Sequence, residues 1–169
     1  MSVIRILRPH RQRRRAVLSP RALGLCFVTA LLGSWSGGPA PAQQPPPPVF
    51  VGAGDIADCG RTQHEATAAL LDGILSAHPG ATVFTAGDNA YSRGTAEEFA
   101  NCYEPSWGRF KARTRPVPGN HDYDAERGAP YYAYFGANAG PAGRGYYSYD
   151  LVDWHIIALN SNVRVRAGS

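Results

Sequence analysis

The chain has 169 residues, enough for one domain, with 17 Lys and Arg against 13 Asp and Glu and a formal net charge of +4. That balance misleads, because residues 1–42 hold seven arginines and no acidic residue, leaving 10 basic and 13 acidic side chains in the remainder. A slightly acidic remainder gives no ground for a nucleic-acid surface.

Arg5, Arg8, Arg11, Arg13, Arg14, Arg15 and Arg21 form a basic run, and residues 22–32 follow as an apolar one. Ala40-Pro41-Ala42 then offers an A-x-A cleavage site before Gln43. The apolar run is too short to span a bilayer, and Gly33, Gly37, Gly38 and nearby prolines break it. Residues 1–42 therefore read as a secretion signal, and no membrane segment is expected after cleavage. The product should be secreted or periplasmic. Arg14-Arg15-Ala16-Val17-Leu18 half-matches a twin-arginine signal, so Sec and twin-arginine export both stay open. Leu25 is too large to precede a lipoprotein cysteine at Cys26. Residues 43–48 are a proline-rich linker of extended geometry, and residues 49–169 make up the domain. Only Cys59 and Cys102 remain after cleavage. An even pair in an exported chain predicts one disulfide. The alternative is Cys59 as a thiolate metal ligand, but no CxxC spacing supports it.

Residues 49–53 predict a buried strand ending at Gly54-Asp55. Thr62 and Glu65 have capping-box spacing, so a helix should start there. Ala66, Ala69, Leu70, Gly73, Ile74 and Ala77 follow helical spacing as its inner face. His78-Pro79-Gly80 ends it. Residues 81–86 predict a second strand, ending at Gly87-Asp88-Asn89-Ala90-Tyr91. Thr95 and Glu98 form a second capping box, opening a short helix to about Tyr103, and residues 105–113 predict a further turn or two. Arg115-Pro116-Val117-Pro118 leads into Gly119-Asn120-His121-Asp122. Residues 124–145, rich in Gly, Ala and Tyr without a clear period, read as a long loop over a cleft. Residues 146–151 and 154–159 are strand-like around Val152-Asp153, which predicts a hairpin.

The oxygen-bearing loops recur at near-even spacing: Asp55 to Asp88 is 33 positions and Asp88 to Asn120 is 32. Ligands at successive strand ends converge on one edge of an open α/β sheet. The Gly before each ligand is expected to take positive φ and turn the next side chain into the cleft. GD, GDNAY and GNHD in this order resemble the calcineurin-like metallophosphoesterases over residues 49–160. The GDxxY form resembles their purple acid phosphatase branch.

The resemblance implies an α/β fold, a two-sheet sandwich flanked by helices, with a pair of metal ions. Asp88 is implied as the bridging carboxylate, Asp55 as a ligand of the first metal and Asn120 as an amide ligand of the second. Outside such a context each Asp would read as an ordinary turn residue. Tyr91 is implied as a phenolate ligand, since many relatives carry Asp there together with a His where this chain has Ala57. A phenolate suits Fe(III), so the expected pair is Fe(III) with a divalent Fe, Zn or Mn ion. His121 is the candidate acid for the leaving alkoxide, with a core histidine as the plain alternative. Asp122 either orients its neighbours or is a surface residue. His64 and His155 have no ligand-like neighbours and read as structural.

The family continues with VxxH-like and GHxH motifs, and neither is present here. The chain therefore reads as the N-terminal portion of a longer enzyme, in which both metals would be under-ligated without the later histidines. The parent reaction is hydrolysis of a small phosphomonoester or phosphodiester by a metal-bound hydroxide. Two rivals stand beside it. One is a secreted non-catalytic module that retains phosphate or metal binding. The other is a nucleotide-specific exported hydrolase.

Overall fold

A computed structural model describes residues 4–7 and 47–164. In chain order the strands are Ile4–Leu7 (β1), Phe50–Ala53 (β2), Ala57–Asp58 (β3), Thr82–Thr85 (β4), Ala90–Tyr91 (β5), Thr114–Arg115 (β6), Tyr147–Leu151 (β7) and Trp154–Ala158 (β8). The α-helices are Gln63–Ala77 (α1), Ala96–Glu98 (α2), His121–Asp124 (α3) and Ala129–Phe135 (α4). The result is a mixed α/β fold. One parallel sheet has the order β2-β4-β6, one antiparallel sheet has the order β1-β8-β7, and β3 and β5 form a short parallel pair.

Strand β2 pairs with β4 in parallel, Val51 opposite Val83 and Ala53 opposite Thr85. The register carries on past both strand ends. Asp55, Ile56 and Ala57 donate their N–H groups to the carbonyls of Gly87, Asp88 and Asn89 at 3.0–3.1 Å. Strand β3 then meets β5, with Asp58 opposite Tyr91. The first two motif loops are thus one continued parallel ladder, which fixes the separation of their side chains.

Helix α1 occupies the expected span, but its packing differs. Its buried residues are His64, Ala68, Leu71 and Leu75, while Leu70 of the expected inner face is 69% exposed. An alanine-rich helix offers several weakly apolar stripes, and the larger Leu71 and Leu75 decide which one is buried. The Thr62 capping box does not form either. Thr62 has φ −116° and ψ 0°, outside the extended region a side-chain cap requires, and makes no cap hydrogen bond. Its backbone carbonyl accepts from Glu65 N–H instead, at 3.0 Å.

Residues 124–145 are not a structureless loop. Helix α4 lies there, with short 3-10 segments at Glu126–Gly128 and Gly136–Ala139. Tyr131, Phe135 and Ala139 are buried and pack with Phe99, Tyr103 and Trp107. Phe99 and Tyr134 stack with ring centroids 4.9 Å apart, and Phe135 meets Tyr103 edge to face at 5.5 Å. Fully burying each large apolar side chain contributes about 1.5–3 kcal/mol, so this aromatic cluster anchors the segment. The small residues around it hide its periodicity in the sequence.

The hairpin is present, with Leu151 opposite Trp154 and Val152 at φ 55° in the turn. His155 accepts no cleft role: its Nδ1 lies 2.7 Å from Asp150 Oδ1, the residue opposite it in the ladder. Strand β1, in the arginine-bearing run expected to be a secretion signal, pairs antiparallel with β8, Ile4 opposite Ala158. Its arginines point to the basic part of an export signal rather than to a strand, although Ile4-Arg5-Ile6 alternates. The apolar run at residues 22–32, Cys26 and the cleavage site lie outside the described residues. Among the described residues no helix is long and apolar enough to cross a membrane.

Candidate metal centre

The centre is built where β2 and β4 end. Asp55 and Asp88 both lie in the left-handed region, at φ 54° and 51°. Aspartate tolerates that region better than most residues, yet it still costs energy. Strain of this kind collects at functional sites, where the surrounding structure enforces it. Positive φ was expected at the glycine before each ligand. Gly87 does take it, at φ 95°, whereas in the first loop Asp55 itself does. Gly119 does not need it. Its role is close approach: a Cβ there would stand 2.0 Å from Asp88 Oδ1 and 2.3 Å from Asp88 N.

Tyr91, at the end of β5, closes the group. Its hydroxyl donates to Asp55 Oδ1 in a short hydrogen bond and lies 3.1 Å from Asp88 Oδ2. Burial, the hydrogen bond to Asp55 and the charge of Asp88 together push this phenol well above its ordinary pKa. Three hard oxygens from three chain positions thus meet at one point. Among the described residues no Lys, Arg or His forms an ion pair with Asp55 or Asp88.

The third loop reaches the group through Asp88. His121 N–H donates to Asp88 Oδ1 at 3.0 Å. Asn120 is exposed at the start of α3, next to His121, whose N–H reaches the Asp88 carboxylate. The His121 ring lies 4.7 Å from the Tyr91 ring, centroid to centroid. Its Nδ1 lies 2.6 Å from the Ser92 carbonyl. A carbonyl can only accept, so Nδ1 carries the proton and Nε2 is the nitrogen left for proton exchange.

Asp122 is wholly buried, which removes the surface reading. Its carboxylate accepts from Asn89 N at 3.0 Å, Asn89 Nδ2 at 2.9 Å and Gly119 N at 2.8 Å. Burial pushes its pKa up to about 6, against the opposing pull of hydrogen bonds from Gly119 and Asn89. Asn89 also donates to the Val117 carbonyl at 3.0 Å. Asn89 and Asp122 therefore lock the second motif loop to the third. Asn89 stood in the GDNAY motif without an assigned role; being wholly buried between charged loops, it works from below the centre rather than within it.

Beside the centre a cleft of about 470 Å³ is lined by Asp55, Tyr91, Asp58, Arg61, Gln63 and His64. His64, expected to be structural, is indeed buried but borders this cleft. Cys59 and Cys102 are bonded to each other, with Cα atoms 5.3 Å apart, which ties the first motif loop to the helical segment after the second.

A profile of the calcineurin-like phosphoesterase family matches residues 42–165. The chain belongs to the calcineurin-like phosphoesterases. No curated protein and no solved structure matches it. Membership brings metal-dependent phosphoester hydrolysis as the family's chemistry. The oxygens that meet there suit hard cations: two carboxylates that pair with no cationic side chain among the described residues, and a phenol. Among the described residues no group of three or more His, Cys, Asp or Glu side chains is gathered for a metal. The gathered set is instead two carboxylates and one phenol, Asp55, Asp88 and Tyr91, while Asn120 is exposed in the next loop.

Proposed function

We propose that this calcineurin-like phosphoesterase uses the centre to hydrolyse small phosphate esters, mono- or diesters, with a dinuclear metal pair of the purple acid phosphatase type. Asp55 and Tyr91 would hold the first ion, Fe(III) by the preference of a phenolate. Asn120 would hold the second, a divalent Fe, Zn or Mn ion, and Asp88 would serve both through its two oxygens. When bound, such a pair neutralises the phosphoryl charge and activates water. The chain's own residues do the rest. Asp88 orients its carboxylate on His121 N–H, and Gly119 leaves room for it. His121, with Nδ1–H held by Ser92, keeps Nε2 for giving a proton to the leaving oxygen. The polypeptide fold around them follows the two-sheet sandwich of the family, and export places it in the oxidising setting that suits the Cys59–Cys102 bond.

The observation that carries this reading is the Tyr91 hydroxyl set between the Asp55 and Asp88 carboxylates. The test is turnover of a chromogenic phosphate ester by purified, metal-loaded protein, with metal content measured alongside. Turnover that a chelator abolishes supports the proposal. Retained metal or phosphate without turnover supports a non-catalytic binding module. Profiling against nucleotides separates a nucleotide-specific hydrolase from a general one.

A further inference from the structure

Glu98 entered the sequence as half of a capping box, and that box is present: Thr95 Oγ1 accepts from Glu98 N–H at 3.2 Å, and the Glu98 carboxylate accepts from Thr95 N–H at 2.9 Å. A capping box accounts for one backbone donor on that carboxylate. Two more are present. Glu98 Oε1 accepts from Ser92 N–H, and Oε2 accepts from Arg93 N–H at 3.0 Å. One carboxylate therefore gathers the N–H groups of residues 92, 93 and 95, and such charge-assisted bonds are about twice as strong as neutral ones.

The segment so gathered is the one that arms the centre. It follows Tyr91 directly, and the Ser92 carbonyl accepts from His121 Nδ1 at 2.6 Å. On its other side the Arg93 carbonyl accepts from Ala125 N–H at 2.9 Å, just past α3. Gly94, at φ 64°, lets it lie against α3: a Cβ there would stand 2.6 Å from Asp122 Cα. The peptide joining Ser92 to Arg93 thus lies between Glu98 and the loop that carries His121.

We propose that Glu98 is a positioning residue for this centre. Its carboxylate holds the 92–95 segment so that the Ser92 carbonyl selects the Nδ1–H tautomer of His121 and Tyr91 stays over Asp55 and Asp88. Glu98 touches neither substrate nor metal in this scheme; it acts through Ser92. The consequence for the reaction rests on the proposed role of His121, whereas the tautomer itself does not.

The test is imidazole nitrogen NMR on the full chain, metal-free and labelled at histidine, with the His121 signals assigned by comparison with His121→Gln. The parent protein should show His121 as the Nδ1–H tautomer. Glu98→Gln sets an amide N–H₂ against one of the gathered N–H groups and should bring in a substantial Nε2–H population, and Glu98→Ala should do the same. Thr95→Ala removes the cap while leaving the Glu98 carboxylate, and should leave the tautomer unchanged. With a chromogenic phosphate ester, Glu98→Gln should lower kcat roughly tenfold, the scale seen when an outer partner of a site is lost, with KM little altered. The proposal is overturned if both Glu98 variants keep His121 as Nδ1–H, or if Thr95→Ala shifts the tautomer as much as Glu98→Gln. Absence of turnover in the metal-loaded parent protein would count against the phosphoesterase reading alone, with the tautomer still deciding the role of Glu98.

Discussion

Two groups of carboxylate are brought together by the second and third motif loops and are partnered in opposite ways. Asp55 and Asp88 stand together at the sheet edge, in left-handed backbone, sharing one phenol hydroxyl and, among the described residues, pairing with no cationic side chain. Asp122 is wholly buried and surrounded by N–H donors from Asn89 and Gly119. On the proposed reading, the difference separates holding a cation from holding a loop. A pair of carboxylates set together with few donors between them is a standing cost that a bound cation can reduce. A carboxylate saturated by backbone donors has nothing further to offer a metal and fixes geometry instead.

Substitutions that remove the support layer should therefore cost stability, and those that remove the donors should cost metal. Stranding a buried donor costs about 1–3 kcal/mol, so Asp122→Ala, which strands donors on both Asn89 and Gly119, should lose about 4 kcal/mol in urea denaturation. A loss under about 1 kcal/mol would show that Asp122 does not lock the loops. Next comes the disulfide, which closes a separation of 43 residues. Replacing both Cys59 and Cys102 by serine should cost about 2–4 kcal/mol. Since neither cysteine is among the proposed donors, iron affinity measured under folding conditions should change little.

Gly119→Ala joins the two groups, because its Cβ would stand 2.0 Å from Asp88 Oδ1 while its N–H donates to Asp122. The forced shift should cost about 1–3 kcal/mol and weaken metal binding in calorimetric titration more than that stability loss alone suggests. The smallest stability effect belongs to Asp88→Asn. It keeps an oxygen for His121 N–H and relieves repulsion with Asp55, so metal-free stability should change by less than about 1 kcal/mol or rise. Both proposed metal positions should nonetheless be lost together in metal analysis. A large stability loss with metal binding intact would erase the distinction between the two groups.

The strands at the sheet edge and the hairpin were legible, since short apolar runs bounded by Gly, Asp and Pro mark strands with little ambiguity. The motif loops were legible as a set because their spacing repeats, although their backbone strain was not: nothing in Gly54-Asp55 shows that the aspartate rather than the glycine turns left-handed. The inner stripe of α1 was misjudged because alanine contributes too little to decide a face, and Leu71 rather than Leu70 settles it. Helix α4 was hidden by glycine and alanine around Tyr131, Tyr134 and Phe135, whose spacing has meaning only beside Phe99 and Tyr103. The burial of Asp122 and Asn89 depends on contacts between positions 33 residues apart, which a local pattern cannot display.

The central claim is that Tyr91 is a metal ligand held ready by two carboxylates, and iron tests it most directly. Iron-loaded protein should be coloured, because a phenolate on Fe(III) gives a charge-transfer band in the visible. Tyr91→Phe keeps the ring and removes only the oxygen that meets Asp55 and Asp88. The visible spectrum of iron-loaded Tyr91→Phe should therefore lack the band, with iron bound more weakly. A band of unchanged position and strength in that variant would contradict the assignment of Tyr91 and, with it, the purple acid phosphatase type proposed for the centre.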